Sequence, residues 1–323
     1  MADIERLNDE DVPQDLIVRS RNRSGYADEF PFDSHWIRID QHVLHYVDEG
    51  SGPTLLMVHG NPTWSFAWRR LIRELSTDYR VIAIDHLGCG YSAKPQEDVY
   101  TLNQHITRLE HLVSGLELTE ITLFAHDWGG AIGMGCAGRH PNLFRQFVLM
   151  NTAAFRSTRI PLRIGACRIP LLGRFGVQRL NLFSLAAVRM AVASPLGAAA
   201  KAGLLAPYDS AANRLAVCEF VHDIPMNPNH RSYETLVAVE ESLSQLASRP
   251  MQLIWGMKDW CFGPEFLREF KQRFPTSLVH EIAQAGHYVF EDAVEEVLNV
   301  SRRFLETADD QSRGKDVSMT GQV

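Results

Sequence analysis

Phe124-Ala125-His126-Asp127-Trp128-Gly129-Gly130 is the stretch from which the rest of this chain can be read. Before it, residues 121–124 alternate and carry β-branched and aromatic side chains, the pattern of a short strand. After it, residues 131–140 read as a helix. A strand, a sharp turn with small residues at its corners and a helix form the setting of a nucleophile elbow, where the central side chain is presented at the top of a sheet. Here that residue is Asp127. A serine there would need a base before attacking, whereas a carboxylate is already ionised at pH 7. It can displace a leaving group from saturated carbon and form an ester with the substrate. The helix start behind it offers unpaired N–H groups and a positive dipole end, both favourable to an anion. A plain helix cap would also place an Asp before a helix. That role explains neither the flanking small residues nor the partners described below.

Outward from this turn the chain alternates strands and helices. Residues 36–48 read as two short strands with a turn near Asp40-Gln41, and 54–58 as a buried strand running into His59-Gly60-Asn61-Pro62-Thr63-Trp64. Residues 80–84 form the next strand, ending in a glycine-rich turn at 85–92. Residues 101–116 have the period of an amphipathic helix, and 147–150 read as another strand. Such alternation implies a mostly parallel sheet with helices on both faces. From 155 to 249 strand signals vanish and helical periods dominate, punctuated by Pro161, Pro170, Pro195, Pro207, Pro225 and Pro228. Strands resume at 251–255 and 277–282, and 293–305 is a closing helix. The expected organisation is an N-terminal tail or arm at 1–28, a core domain from 29–154 and 250–306, a helical cap at 155–249 inserted between strands, and a disordered tail at 307–323. An insert at the C-terminal ends of the strands would cover the place where such sheets bind ligands.

Composition narrows the function classes. The 323 residues are 45% hydrophobic and 22% charged, enough for a sizeable core, and the formal net charge of −7 argues against nucleic-acid binding. The five cysteines are scattered, odd in number and never in a C-x-x-C pair, which points to a reducing, cytoplasmic setting and to no cysteine metal site. No secretory signal and no apolar run of membrane-spanning length is evident.

Three residues fall at strand ends in the order Asp127, Asp259, His287. This is the chain order nucleophile, acid, base of a hydrolase triad. His287 would take a proton from the water that attacks the Asp127 ester, and Asp259 would fix the imidazole tautomer. Singly, a loop His is usually a surface residue and a loop Asp a turn former; three at matching strand ends are not. The segment 59–62 follows the strand that supplies an oxyanion donor in such an arrangement. The backbone N–H groups of Asn61 and Trp128 would hold the ester carbonyl oxygen. Their side chains, an amide and an indole, are neutral donors able to hold a departing halide without trapping it.

Over residues 30–305 the chain resembles haloalkane dehalogenases of the α/β-hydrolase fold. The resemblance is carried by His59-Gly60-Asn61-Pro62-Thr63-Trp64, His126-Asp127-Trp128-Gly129-Gly130, Trp255-Gly256-Met257-Lys258-Asp259 and Gly286-His287. It implies an Asp nucleophile, a His base and no cofactor or metal. One subfamily takes a second halide donor from a cap tryptophan, but the 155–249 insert has none. Another places a Glu after the strand that here ends at Met150-Asn151, and no acid stands there. Asp259 with Asn61 and Trp128 resembles the third subfamily. Ala125 replaces the glycine often found in the elbow.

The same pattern is shared by the β-lactone decarboxylases of long-chain olefin biosynthesis, whose cap the segment from Phe155 resembles. Haloalkane hydrolysis to alcohol and halide is therefore the leading expectation. Decarboxylation of a cis-β-lactone to an olefin and CO2 is the first alternative. Epoxide hydrolysis, which needs two cap tyrosines such as Tyr208 and Tyr233, is the second. The expected partner is a small apolar substrate, with Phe155, Phe175, Phe183 and Phe220 as candidates to line its tunnel. Between Asn151 and Tyr208 there are eight basic residues (Arg156, Arg159, Arg163, Arg168, Arg174, Arg179, Arg189 and Lys201) and no acidic one. Such a basic apolar surface could contact an anionic membrane or an acidic partner enzyme, mediate a homo-oligomer, or be merely a solvated face.

Overall fold

A computed structural model describes the backbone of residues 2–319 and the side chains of residues 2–307. One sheet of nine strands runs through it: β1 (Ile4–Leu7), β2 (His35–Ile39), β3 (His42–Glu49), β4 (Thr54–Val58), β5 (Arg80–Ile84), β6 (Ile121–Asp127), β7 (Phe144–Thr152), β8 (Met251–Gly256) and β9 (Leu278–Ile282). Their spatial order is β1-β2-β3-β5-β4-β6-β7-β8-β9. The first three pairings are antiparallel and the remaining five parallel. The central strand β6 is buried at every residue, as a strand covered on both faces must be. Two apolar layers, one on each face, account for the core.

The helix Leu102–Gly115 shows how the covering layer follows from the sequence. Thr101 caps it by accepting from the Gln104 N–H, and Leu102, Ile106, Leu109, Leu112 and Val113 form its buried stripe. Each such side chain contributes about 1.5–3 kcal/mol when withdrawn from water.

Residues 1–28 were expected as a tail or an arm, and the described residues from 2 onward are packed as an arm. Residues 4–7 add β1 as an antiparallel edge strand beside β2, and the helix Gln14–Arg21 buries Leu16 and Ile17. Phe30 is fully buried against Trp64 and Phe66. This arm is tied down by charge as well. The buried Arg69 guanidinium pairs with Glu29 of the arm and with Glu291, four residues beyond His287. The closing helix Val294–Met319 runs into the stretch expected to be a tail, whose final residues 320–323 lie outside those described. Between β7 and β8 the described chain makes helices joined by turns and irregular stretches, and no strand. Among the described residues, no helix is long and apolar enough to cross a membrane.

Candidate active site

Asp127 ends β6 and precedes the helix Trp128–Arg139, with φ 53° and ψ −126°. A non-glycine residue seldom takes this conformation, and surrounding structure must hold it there. The Thr152 hydroxyl donates to the Asp127 carbonyl oxygen, and three glycines clear the space. A Cβ added to Gly60 would lie 2.2 Å from Asp127 Oδ1, one on Gly129 would lie 2.0 Å from the Val58 carbonyl oxygen, and one on Gly130 would lie 1.9 Å from Thr152 Oγ1. The Asp127 side chain makes no cap bond to its own helix. Instead the Asn61 N–H donates to Oδ1 at 2.7 Å, with the Trp128 N–H as a second backbone donor. Burial raises the Asp127 pKa, and the His287 charge and these two donors oppose that rise. Gly60→Ala is expected to displace the carboxylate. Turnover should drop at least about 100-fold, with about 1–3 kcal/mol of lost stability from overpacking. Kinetics and thermal unfolding check both, and wild-type turnover would show that the loop yields freely.

The loop after β9 brings His287 to the same strand edge. Its Nε2 lies 3.6 Å from Asp127 Oδ2, and its Nδ1–H donates to Asp259 Oδ2 at 2.9 Å. The three residues named from sequence therefore stand together. Burial alone would lower the imidazole pKa, but the Asp259 carboxylate, through charge and hydrogen bond, and Asp127 outweigh it and hold the pKa above its ordinary value.

Two supporting residues escaped the sequence reading. Asn151, at the end of β7, donates from Nδ2 to Asp259 Oδ2 at 2.9 Å and accepts from the Gly256 N–H at 2.8 Å. The sequence reading looked for an acid at this strand end; an amide stands there and positions the acid from β8. The Cys261 N–H supports the other Asp259 oxygen at 2.6 Å. His126 packs its ring 4.4 Å from that of His287 and donates from Nε2 to the His287 carbonyl oxygen. Its place beside Asp127 in the sequence was the available signal. Asn151→Ala removes one hydrogen bond to a charged group, worth about 1.5–3 kcal/mol. A fall in kcat of about 10–100-fold with little change in KM is expected. An unaltered kcat would end the positioning role of Asn151.

Above the carboxylate lies a cavity of about 320 Å³ whose wall is mostly apolar. Asn61, Asp127, Trp128 and His287 all line it. One Asn61 amide hydrogen is engaged by the Val217 carbonyl at 3.1 Å, which fixes the amide's orientation. Of the candidate tunnel phenylalanines, Phe155 and Phe183 line the cavity. Phe175 is exposed, and Phe220 packs behind Trp128. Trp260, just after Asp259, is an unexpected wall residue, held by its indole N–H to the Met190 carbonyl. Neither Tyr208 nor Tyr233 lines the cavity. The Tyr208 hydroxyl is fully buried on the Thr63 carbonyl. The two cap tyrosines on which the epoxide alternative rested therefore do not line the cavity. Among the described residues no cluster of His, Cys, Asp or Glu is arranged to hold a metal ion.

Comparison with known proteins places these features in context. Residues 53–294 match the model of the alpha/beta hydrolase fold family. A cis-3-alkyl-4-alkyloxetan-2-one decarboxylase of Shewanella oneidensis is 39% identical over 282 residues, covering 85% of this chain and 89% of the relative. Haloalkane dehalogenase 2 of Mycobacterium bovis is 31% identical over 273 residues, covering 83% of this chain and 93% of the relative. The crystal structure of a haloalkane dehalogenase from Bradyrhizobium elkani superposes with a TM-score of 0.80 at 23% identity, over 87% of this chain and 99% of that one, a likeness of fold.

Proposed function

The chain belongs to the α/β-hydrolase family, among the enzymes that include haloalkane dehalogenases and oxetanone decarboxylases, and from that premise we propose that it decarboxylates cis-3,4-dialkyl β-lactones to olefins, with Asp127 as covalent nucleophile. The observation carrying this choice is the 39% identity to the decarboxylase, against 31% to the dehalogenase. It reverses the order of the two activities expected from sequence. The apolar cavity above a single buried carboxylate suits a substrate with two alkyl arms.

The overall chemistry balances without cofactor or oxidant. The lactone loses its bond between ring oxygen and C4 and its bond between the carbonyl carbon and C3. A C3–C4 double bond forms, and the carboxyl group leaves as CO2. Asp127 Oδ2 faces the cavity side of the imidazole and attacks the strained ring, while Oδ1 stays on the Asn61 and Trp128 N–H groups. The side-chain donors of Asn61 and Trp128 receive the oxygen charge released as the ring opens. His287, oriented by Asp259, manages protons and water at the enzyme-bound intermediate. The ring offers two electrophilic carbons. Attack at C4 forms an Asp127–C4 ester bond that breaks again as the C3–C4 double bond forms and CO2 departs, with no water consumed. Attack at the carbonyl carbon gives an acyl-enzyme that water releases as a β-hydroxy acid, so product analysis distinguishes the two.

Haloalkane hydrolysis is the second reading, favoured by the neutral Asn61 and Trp128 donors beside the nucleophile. Purified protein given a cis-3,4-dialkyl lactone should release olefin and CO2 in equimolar amounts. Bromide release from a long-chain bromoalkane, without olefin from the lactone, would overturn the decarboxylase reading in favour of the dehalogenase.

A further inference from the structure

We propose that the first part of the cap, residues 162–182, docks the enzyme on the anionic surface of a lipid bilayer, so that alkyl-chain substrate enters the cavity from the membrane. Only the cargo rests on the proposed lactone activity; the docking stands on the surface itself.

Among the described residues ten large hydrophobic side chains are exposed, and seven of them fall within 162–182. Leu162 is 92% exposed, Leu171 85% and Leu172 73%. Folded proteins seldom spend so much apolar surface on water without a partner for it. The backbone presents these residues deliberately. The helix Leu162–Cys167 turns into the helix Leu172–Arg174 through a tip where Leu171 has φ 63°. A branched apolar side chain held in left-handed backbone and left in solvent is a strained arrangement. The turn is tight enough that a Cβ on Gly173 would lie 2.1 Å from the Cys167 carbonyl oxygen.

Charge selects the occupant. The segment between Asn151 and Tyr208 carries eight basic residues and no acidic one. Arg156, Arg159 and Arg174 find carboxylates on Glu240, Glu265 and Glu219. Arg163, Arg179 and Arg189 are exposed and form no salt bridge among the described residues. Leucines interleaved with guanidinium groups that no carboxylate neutralises, Arg163 lying over the Trp260 ring and Arg189 donating to the Leu185 carbonyl, are the composition of a surface that lies in the headgroup region of anionic membranes.

The same segment is the cavity's rim. Of it, Arg163, Ile164, Cys167 and Leu182 line the cavity, and Arg163 and Leu182 are also exposed. A bilayer seated here would meet the cavity mouth, and a water-insoluble substrate would pass from acyl chains to apolar wall.

Co-sedimentation with vesicles tests the proposal without any turnover. One set is phosphatidylcholine alone, and the other contains about 30% phosphatidylglycerol. Three exposed basic residues without a salt bridge should favour the anionic set by roughly 100-fold in partitioning, an advantage lost at about 0.5 M salt. Leu171→Glu with Leu172→Glu should weaken binding at least about 10-fold, and turnover of a short-chain, water-soluble substrate should be unchanged, since neither residue lines the cavity. Asp127→Asn should bind as the wild type does, which separates docking from chemistry. Absence of vesicle binding overturns the proposal, as does binding indifferent to the leucine changes. So would self-association lost in the leucine variant with no vesicle binding, which would give this surface to a second copy of the chain.

Discussion

Asp127→Asn is expected to lose more than about 10⁴-fold of turnover, whichever substrate is supplied, and to form no covalent adduct. An amide oxygen is too poor a nucleophile to open a lactone or displace a halide. The substitution conserves volume, and the amide oxygen can still accept from the Asn61 and Trp128 N–H groups that hold Oδ1. The variant should therefore fold with near-native stability, so the loss reads as chemistry. Intact-mass measurement after incubation with a long-chain bromoalkane checks the adduct, and gas chromatography of the olefin checks turnover. Activity above about 1% of wild type would remove Asp127 from the centre of the mechanism.

His287→Phe has a different signature. Asp127 needs no base to attack, so its bond to a bromoalkane should still form. Water then lacks the imidazole that activates it, and the ester should persist. One bromide per enzyme, an accumulated adduct visible by mass and a steady-state rate down by about 10³–10⁴-fold are expected. In the wild type the sign of the pH dependence follows from the raised His287 pKa. Only the neutral imidazole accepts a proton, so ester hydrolysis should slow as pH falls through a value above that of a free histidine. Rapid multiple turnover by the His287 variant would show that another group activates water.

The core of this fold was legible because its signals are periodic. Buried runs such as 54–58 and 80–84 became β4 and β5 with the same bounds, and the elbow lay where its small residues pointed. The edge strand β1 left almost no signal. Ile-Glu-Arg-Leu buries one residue of four, and a charged edge is what keeps such a strand from pairing with other chains. The site was legible through residues that carry charge at strand ends. Asn151 was not, because an amide that positions a carboxylate has neither a period nor a titratable group to betray it. Cavity walls were half legible. Phe155 and Phe183 were distinguishable from Phe175 and Phe220 only once the cap helices were packed, since a phenylalanine reads the same in a lining and in a core.

The guanidinium of Arg69 gives the amino-terminal arm a stake in catalysis. It is a keystone between Glu29 and Glu291, and the latter belongs to the short helix Val289–Asp292 that follows His287. A chain trimmed back to residue 35 would retain all four polar groups around the cavity floor. It would also leave a buried cation with half its counter-charge, paired only with Glu291 of the helix after His287. Shortening this chain from the front, in evolution or in the laboratory, is therefore expected to loosen the loop of His287 from behind without touching the imidazole.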